Sequence, residues 1–221
     1  MPGKKPRGRW QKCKDFLTLP LRSLTLFEGR RWGLTSTQDE RFAYAAREVR
    51  GYCLDIGCGK YNRFITDYCG GNGIGIDVFA YEGLGPENIV TDMTHLPFAD
   101  ATFAAVTFIA NLNHVPRDDR DAELREAQRV LRPGGNIIVT MPCAVAGVLV
   151  HKFVHWHDAL MGTHFDVDAV RGMHHDEEYW LPDQEIIERL TRAGFGGIAK
   201  KYFWTQWGLN HLFVGVKARL V

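Results

Sequence analysis

The chain has 221 residues, of which 45% are hydrophobic and 24% charged, enough for one sizeable core with appendages. A net charge of +1 gives no global case for nucleic-acid binding. The five cysteines (Cys13, Cys53, Cys58, Cys69, Cys143) are odd in number and form no Cys-x-x-Cys pair, so the expectation is a reducing, cytoplasmic setting without a disulfide framework or metal site.

Charge is distributed unevenly. Residues 1–35 carry nine Lys or Arg against Asp15 and Glu28. Residues 1–15 are basic and rich in Pro and Gly, which predicts disorder. They show no apolar core and cleavage site of the secretory kind. Residues 16–34 are apolar with few acids and are expected to pack across the domain as an arm. A second reading rests this arm on a membrane surface with help from the basic tail.

The domain proper is expected over residues 36–221. Ser36-Thr37-Gln38-Asp39 resembles a capping box and predicts a helix to about Arg50, with Phe42, Ala45, Ala46 and Val49 on one face. Tyr52-Cys53-Leu54-Asp55-Ile56-Gly57-Cys58-Gly59 reads as a buried strand running into a tight glycine loop. A helix from about Lys60 to Tyr68 follows. Gly73 to Asp77, Asn88 to Asp92, and Phe103 to Ile109 read as further strands. A helix from about Arg117 to Arg132 stops at Pro133-Gly134-Gly135, and Asn136 to Met141 is the next strand. Asp183 is expected to cap a helix carrying Ile186, Ile187 and Leu190, closed by Gly194. Strands near 197–205 and 210–217 finish the chain, joined by the aromatic stretch Trp204 to His211. Alternating strands and helices predict a doubly wound, mostly parallel α/β sheet. The forty residues 143–182 interrupt that rhythm and are read as a lid.

Three strands end in acids: Asp55, Asp77 and Asp92. The carboxyl edge of an open α/β sheet is where ligands bind. Asp55 sits in the glycine loop, where a carboxylate would repel a pyrophosphate and suit a cationic ligand. Asp77 stands eighteen residues past Gly59, the spacing that suits ribose hydroxyls. Asp92-Met93 offers a polar contact and an apolar wall to an adenine ring.

Leu54-Asp55-Ile56-Gly57-Cys58-Gly59, Gly75-Ile76-Asp77, Thr91-Asp92-Met93-Thr94-His95-Leu96-Pro97-Phe98 and Arg129-Val130-Leu131-Arg132-Pro133-Gly134-Gly135 together resemble the successive motifs of class I S-adenosylmethionine-dependent methyltransferases. The resemblance is close over about residues 40–142 and looser over the last forty. It implies a seven-stranded Rossmann-like sheet whose last strand is antiparallel. It also implies S-adenosyl-L-methionine as cofactor. Asp55 and the backbone of Gly57 and Gly59 would meet the methionine part, with Asn111 close by. Asp77 would hold the ribose, and Asp92 and Met93 would flank the adenine. Cys58 and Val78 complete the candidate cofactor contacts. Two positions depart from the family pattern, Tyr61 where a third glycine is common and Ala104 where an acid is common. A dinucleotide fingerprint would need glycine at Asn62.

Methyl transfer to oxygen or carbon calls for a base with a pKa near neutrality, which favours histidine. His114, in the loop after the fourth strand, is the first candidate base, and His175 in the lid is the second. Asn113, His151, His174 and Tyr179 are candidates for contact with the acceptor. His151 and His155 lie four apart, but no acid at matching spacing makes them a metal pair. The loop Asn111-Leu112-Asn113-His114 differs from the Asn-Pro-Pro-Tyr-like turn of many nitrogen methyltransferases. The expected activity is therefore methylation of a small molecule with apolar character, on oxygen or carbon. An NAD(P)-dependent oxidoreductase and a non-catalytic S-adenosylmethionine-binding protein are the alternatives.

Overall fold

The computed structural model describes residues 8–25, 30–143 and 180–219. The arm begins with helices α1 (Arg9–Leu17) and α2 (Leu19–Thr25). Residues 9–15, expected to lack structure, are therefore helical. The reason is tertiary: Asp15 of α1 is buried and accepts from Gln11 at 2.8 Å and from the Thr35 amide at 3.3 Å. Two short strands follow, β1 (Arg30–Arg31) and β2 (Leu34–Thr35), paired antiparallel. Helix α3 (Thr37–Ala45) starts as its capping residues predict, because the Ser36 hydroxyl accepts from the Asp39 amide at 3.0 Å.

The main sheet comprises β3 (Cys53–Ile56), β4 (Gly73–Ile76), β5 (Phe103–Ile109), β6 (Leu131–Pro142), β7 (Phe195–Tyr202) and β8 (Asn210–Lys217), in the order β4-β3-β5-β6-β8-β7. β4, β3, β5 and β6 pair in parallel, while β8 runs antiparallel to both its neighbours. β7 therefore runs with the parallel set, and five strands end on one edge. The segment Asn88–Asp92, expected as a further strand, makes a single parallel bridge between Ile89 and Asp77. Asn88 is drawn into a turn over Pro86–Asn88, and its side chain bonds the Gly75 carbonyl at 2.7 Å. The described sheet thus has six strands plus this bridge.

Alternate strand residues serve opposite faces. Leu54, Ile56, Val106, Phe108, Ile137 and Val139 pack with Leu124, Ala127 and Val130 of α4 (Arg120–Val130) and with Ile186 and Leu190 of α5 (Asp183–Arg192). Cys53, Ala105 and Ile138 pack on the other side with Phe42 and Ala45 of α3 and with Phe64 and Ile65. Both faces are covered, so the strands read as unbroken apolar runs. Each fully buried Leu, Ile or Phe contributes roughly 1.5–3 kcal/mol.

Several expected elements differ in detail: α3 ends at Ala45 rather than near Arg50, and β7 covers Phe195–Tyr202 rather than 197–205. The helix over 60–68 is a 3-10 turn (Lys60–Asn62) followed by one π-helical stretch (Phe64–Tyr68), since Tyr61 and Asn62 take φ of 61° and 47°. β6 begins at Leu131 rather than Asn136, and the residues around Pro133-Gly134-Gly135 bulge out between the pairs Phe103–Leu131 and Ala105–Asn136. Asp183 is the first residue of α5 and makes no side-chain cap; its carboxylate is taken by Lys200 and by His211.

Candidate functional site

The site is assembled on the carboxyl edge of β3, β4 and β5. β3 carries Asp55 to that edge as a buried residue. Its Oδ1 accepts from the Thr107 hydroxyl of adjacent β5 at 2.5 Å, a bond that follows from the register pairing Asp55 with Thr107. Burial pushes the Asp55 carboxyl up to about 7; the Thr107 bond opposes this, and the nearby Asp77 adds to it.

The loop after β3 is held by its backbone. The amides of Gly57 and Cys58 both donate to the Ile76 carbonyl, at 2.9 and 3.1 Å. Gly57 takes φ of 76°, and a Cβ there would overlap the Asn111 carboxamide. Glycine is required twice over, by conformation and by space. Gly59 donates its amide to Asp77 Oδ2 at 2.9 Å, and the Phe79 amide reaches Asp77 Oδ1 at 3.1 Å. Asp77 is buried, and burial raises its pKa against those amide bonds. Cys58 is buried, with its thiol pushed up first by burial and then by Asp55 and Asp77. Val78 and Phe79 are exposed apolar side chains directly beyond Asp77.

The loop after β5 forms the facing wall. Ala110 has φ of 49°, an uncommon conformation for a residue with a Cβ, and its amide donates to both the carbonyl and the hydroxyl of Thr140. The Asn111 carbonyl accepts from the His114 amide at 2.8 Å. Asn113 is buried; its Nδ2 lies 3.2 Å from His114 Nε2, and its Oδ1 has no hydrogen-bond partner among the described residues. The donor and acceptor roles in this pair follow from the orientation of the Asn113 amide and the tautomer of the imidazole.

The structure thus joins Asp55, Gly57, Cys58, Gly59, Asp77 and Asn111 in one constellation, with Asn113 and His114 paired on the loop that carries Asn111. Asp92 is placed differently from Asp55 and Asp77. It is exposed, and its carboxylate accepts from the Thr94 hydroxyl and amide and meets His95 at 3.1 Å. Those bonds, the Thr94 hydroxyl first, hold it below the ordinary carboxylate range. Met93 is buried in the core. His151, His174, His175 and Tyr179 lie outside the described residues.

Sequence reasoning missed Thr107, Thr140 and Ala110. The two threonines carried a signal, because each is a hydroxyl inside an apolar strand buried on both faces. Ala110 carried none, since nothing in an alanine announces a left-handed backbone.

The donor set defines what can bind. Two buried carboxyls flank a loop whose amides at Gly57, Cys58 and Gly59 are already spent on Ile76 and Asp77. A phosphate would find no free cradle there, whereas a cationic, hydroxyl-bearing ligand would find acceptors. Against known proteins, a family model described as a methyltransferase domain matches residues 54–139. The ubiquinone/menaquinone biosynthesis C-methyltransferase UbiE of Hahella chejuensis is 34% identical over 130 residues, which is 56% of this chain and 50% of that protein. The chain thus spans about half the length of that relative. A protein of Encephalitozoon cuniculi carrying the name of a methyltransferase is 32% identical over 178 residues, 75% of this chain and 78% of its own. In fold, the 1,6-didemethyltoxoflavin-N1-methyltransferase of Burkholderia thailandensis, solved with S-adenosylhomocysteine, matches with a TM-score of 0.58 at 16% identity, covering 98% of this chain and 94% of that one.

Proposed function

This chain belongs to the class I S-adenosylmethionine-dependent methyltransferase family, and we propose that it methylates a small molecule with substantial apolar surface, on carbon or oxygen. The observation that carries this reading is the pair of buried carboxyls, Asp55 and Asp77, around a glycine loop with no free amide cradle. When bound, S-adenosylmethionine supplies an electrophilic methyl group on a sulfonium. Asp55 would take its ammonium, and Asp77, already oriented by Gly59 and Phe79, would accept from its ribose hydroxyls. Gly57 leaves the backbone open to close approach. Asn111, packed against Gly57, would line the methionine end.

The rest of the proposal concerns the acceptor. His114 would remove a proton from the acceptor's hydroxyl or acidic carbon. Asn113, beside Nε2, would orient the ring, and with its amide oxygen turned to accept from the Nε2 proton it would make Nδ1 the basic nitrogen. The relatives named for C-methylation in ubiquinone and menaquinone biosynthesis support a carbon acceptor of quinol-like polarity. An acceptor of that kind partitions into lipid, so delivery from a membrane surface belongs to the same reading.

A thermal-shift panel tests the core of it. S-adenosylmethionine and S-adenosylhomocysteine should each raise the melting temperature, while NADH and NADPH should not. A shift with the nicotinamides alone would overturn the assignment in favour of an oxidoreductase. His114→Ala should keep the S-adenosylhomocysteine shift and lose methyl transfer to a quinol acceptor by about 100-fold or more. Unchanged turnover in that variant would remove His114 from the chemistry.

A further inference from the structure

A helix that merely packs on its own domain turns its apolar side inward. α1 does the reverse. Its buried residue is Asp15, and its outward side carries Trp10, 82% exposed, and Leu17, 74% exposed, two helical turns apart. The apolar surface continues onto the turn between β7 and β8. Phe16 places its ring 5.8 Å from Trp204 and 6.1 Å from Trp207, and the Trp207 indole donates to the Phe16 carbonyl at 2.9 Å. Trp204 and Trp207 remain about half exposed. Uncovered tryptophan and leucine on one patch mark an interaction surface.

Charge says what the surface meets. α1 carries Arg9, Lys12 and Lys14, and its only acid is the buried Asp15. Residues 1–35 hold nine basic residues against two acids. Tryptophan beside lysine and arginine is the composition that settles at a headgroup boundary, the rings in the interface and the cations on anionic lipid. Among the described residues no helix is long and apolar enough to cross a membrane, so the contact would be peripheral.

Topology places this patch. β7 runs parallel to β3 and β5, so the turn after it stands on the same sheet edge as Gly57 and Asn111. We propose that the face formed by Trp10, Phe16, Leu17, Trp204 and Trp207 seats the protein on an anionic membrane surface, with the candidate site on the lipid-proximal edge of the sheet. Binding to lipid stands independently of the methyltransferase reading; only the delivery of an apolar acceptor from the bilayer rests on it.

The test uses the full chain with vesicles of phosphatidylcholine alone and of equal parts phosphatidylcholine and phosphatidylserine. The protein should cosediment with the second and not the first, and raising the salt should release it. Tryptophan emission should shift to the blue on binding. Trp10→Ala with Leu17→Ala should lower the partition about tenfold or more. The double variant should keep the melting temperature and the S-adenosylhomocysteine shift, since both side chains point outward. Failure to bind the anionic vesicles overturns the proposal, as does binding indifferent to the double variant. A lipid-free dimer abolished by Trp10→Ala with Leu17→Ala also overturns it, by assigning the patch to a second copy. A chain that binds these vesicles yet ignores S-adenosylhomocysteine would retain this surface and lose the methyltransferase reading.

Discussion

Asp55 carries a buried carboxyl whose proton equilibrium should report on a bound cationic ligand under the proposed function. Burial lifts it to about 7, with the Thr107 hydroxyl working against the rise and Asp77 adding to it. A carboxyl raised in the folded state favours folding while it holds its proton. That contribution is complete below the unfolded value near 4 and is lost as pH climbs through about 7. Asp55→Asn keeps the size and can still accept from Thr107. The unliganded variant should therefore be more stable than the parent at about pH 8, by roughly 2–4 kcal/mol, and should show no such advantage at about pH 4. Urea titrations at the two pH values check this. A ligand ammonium inverts the balance by favouring the carboxylate. S-adenosylhomocysteine should then bind more tightly as pH rises from about 6 to 8, with release of up to one proton, seen by calorimetry in buffers of different ionisation enthalpy. In Asp55→Asn the affinity should drop more than about tenfold and lose this pH dependence. A pH-independent affinity in the parent would show that Asp55 does not meet the cation.

At the scale of elements, the glycine loop depends on the loop after β5. Gly57 cannot take a side chain without displacing the Asn111 carboxamide, and its φ of 76° adds strain to any substitution. Gly57→Ala should cost about 1–3 kcal/mol of stability and weaken S-adenosylhomocysteine binding as well. Adding Asn111→Ala should return part of the stability, because it removes the overlap but not the strained φ. A fully additive double variant, measured by denaturant unfolding, would mean that the two loops are not coupled. These loops also show how far local sequence reaches. Leu54-Asp55-Ile56 and Gly75-Ile76-Asp77 were legible because a strand buried on both faces is an unbroken apolar run, so its terminal acid stands out. The Ser36 cap was legible because its partner, Asp39, is three residues away. The stretch 60–68 was not, since its departure from an α-helix comes from Tyr61 and Asn62 in left-handed conformations and from Asn62 packing against Gly75 of β4. Asp183 read as a cap because Lys200 and His211, which take its carboxylate, are distant in sequence. Asn88 to Asp92 read as a full strand, yet the Asn88 side chain and the Thr94 contacts to Asp92 turn its two ends away.

At the scale of the molecule, a buried cation ties the arm to the domain beside the Phe16 contacts with Trp204 and Trp207. Arg22 of α2 is fully buried. It pairs with Glu40 of α3 at 2.8 Å and donates to the carbonyls of Asp15 at 2.5 Å, Thr35 at 2.8 Å and Thr205 at 3.2 Å. One guanidinium therefore joins α1, β2, α3 and the turn before β8. Glu40 also receives the Gln206 amide at 3.0 Å. Arg22→Ala would remove the ion pair from the buried Glu40 carboxylate and leave a void, at a cost of about 3–5 kcal/mol. Arg22→Met with Glu40→Gln removes both charges and fills most of the volume, so it should lose markedly less than Arg22→Ala. Arg22→Met alone against the double variant in urea is the decisive comparison, because with a merely space-filling Arg22 the added Glu40→Gln would bring no recovery. The same cation bears on the site. α3 and the Trp204–Gln206 turn both approach the edge that holds the glycine loop, with Arg63 beyond that loop pairing with Asp39 of α3 at 2.7 Å. Loosening the arm should therefore weaken S-adenosylhomocysteine binding in Arg22→Ala even at temperatures where the variant is fully folded. An unchanged dissociation constant under those conditions would make the arm a docking device alone, with no part in shaping the site.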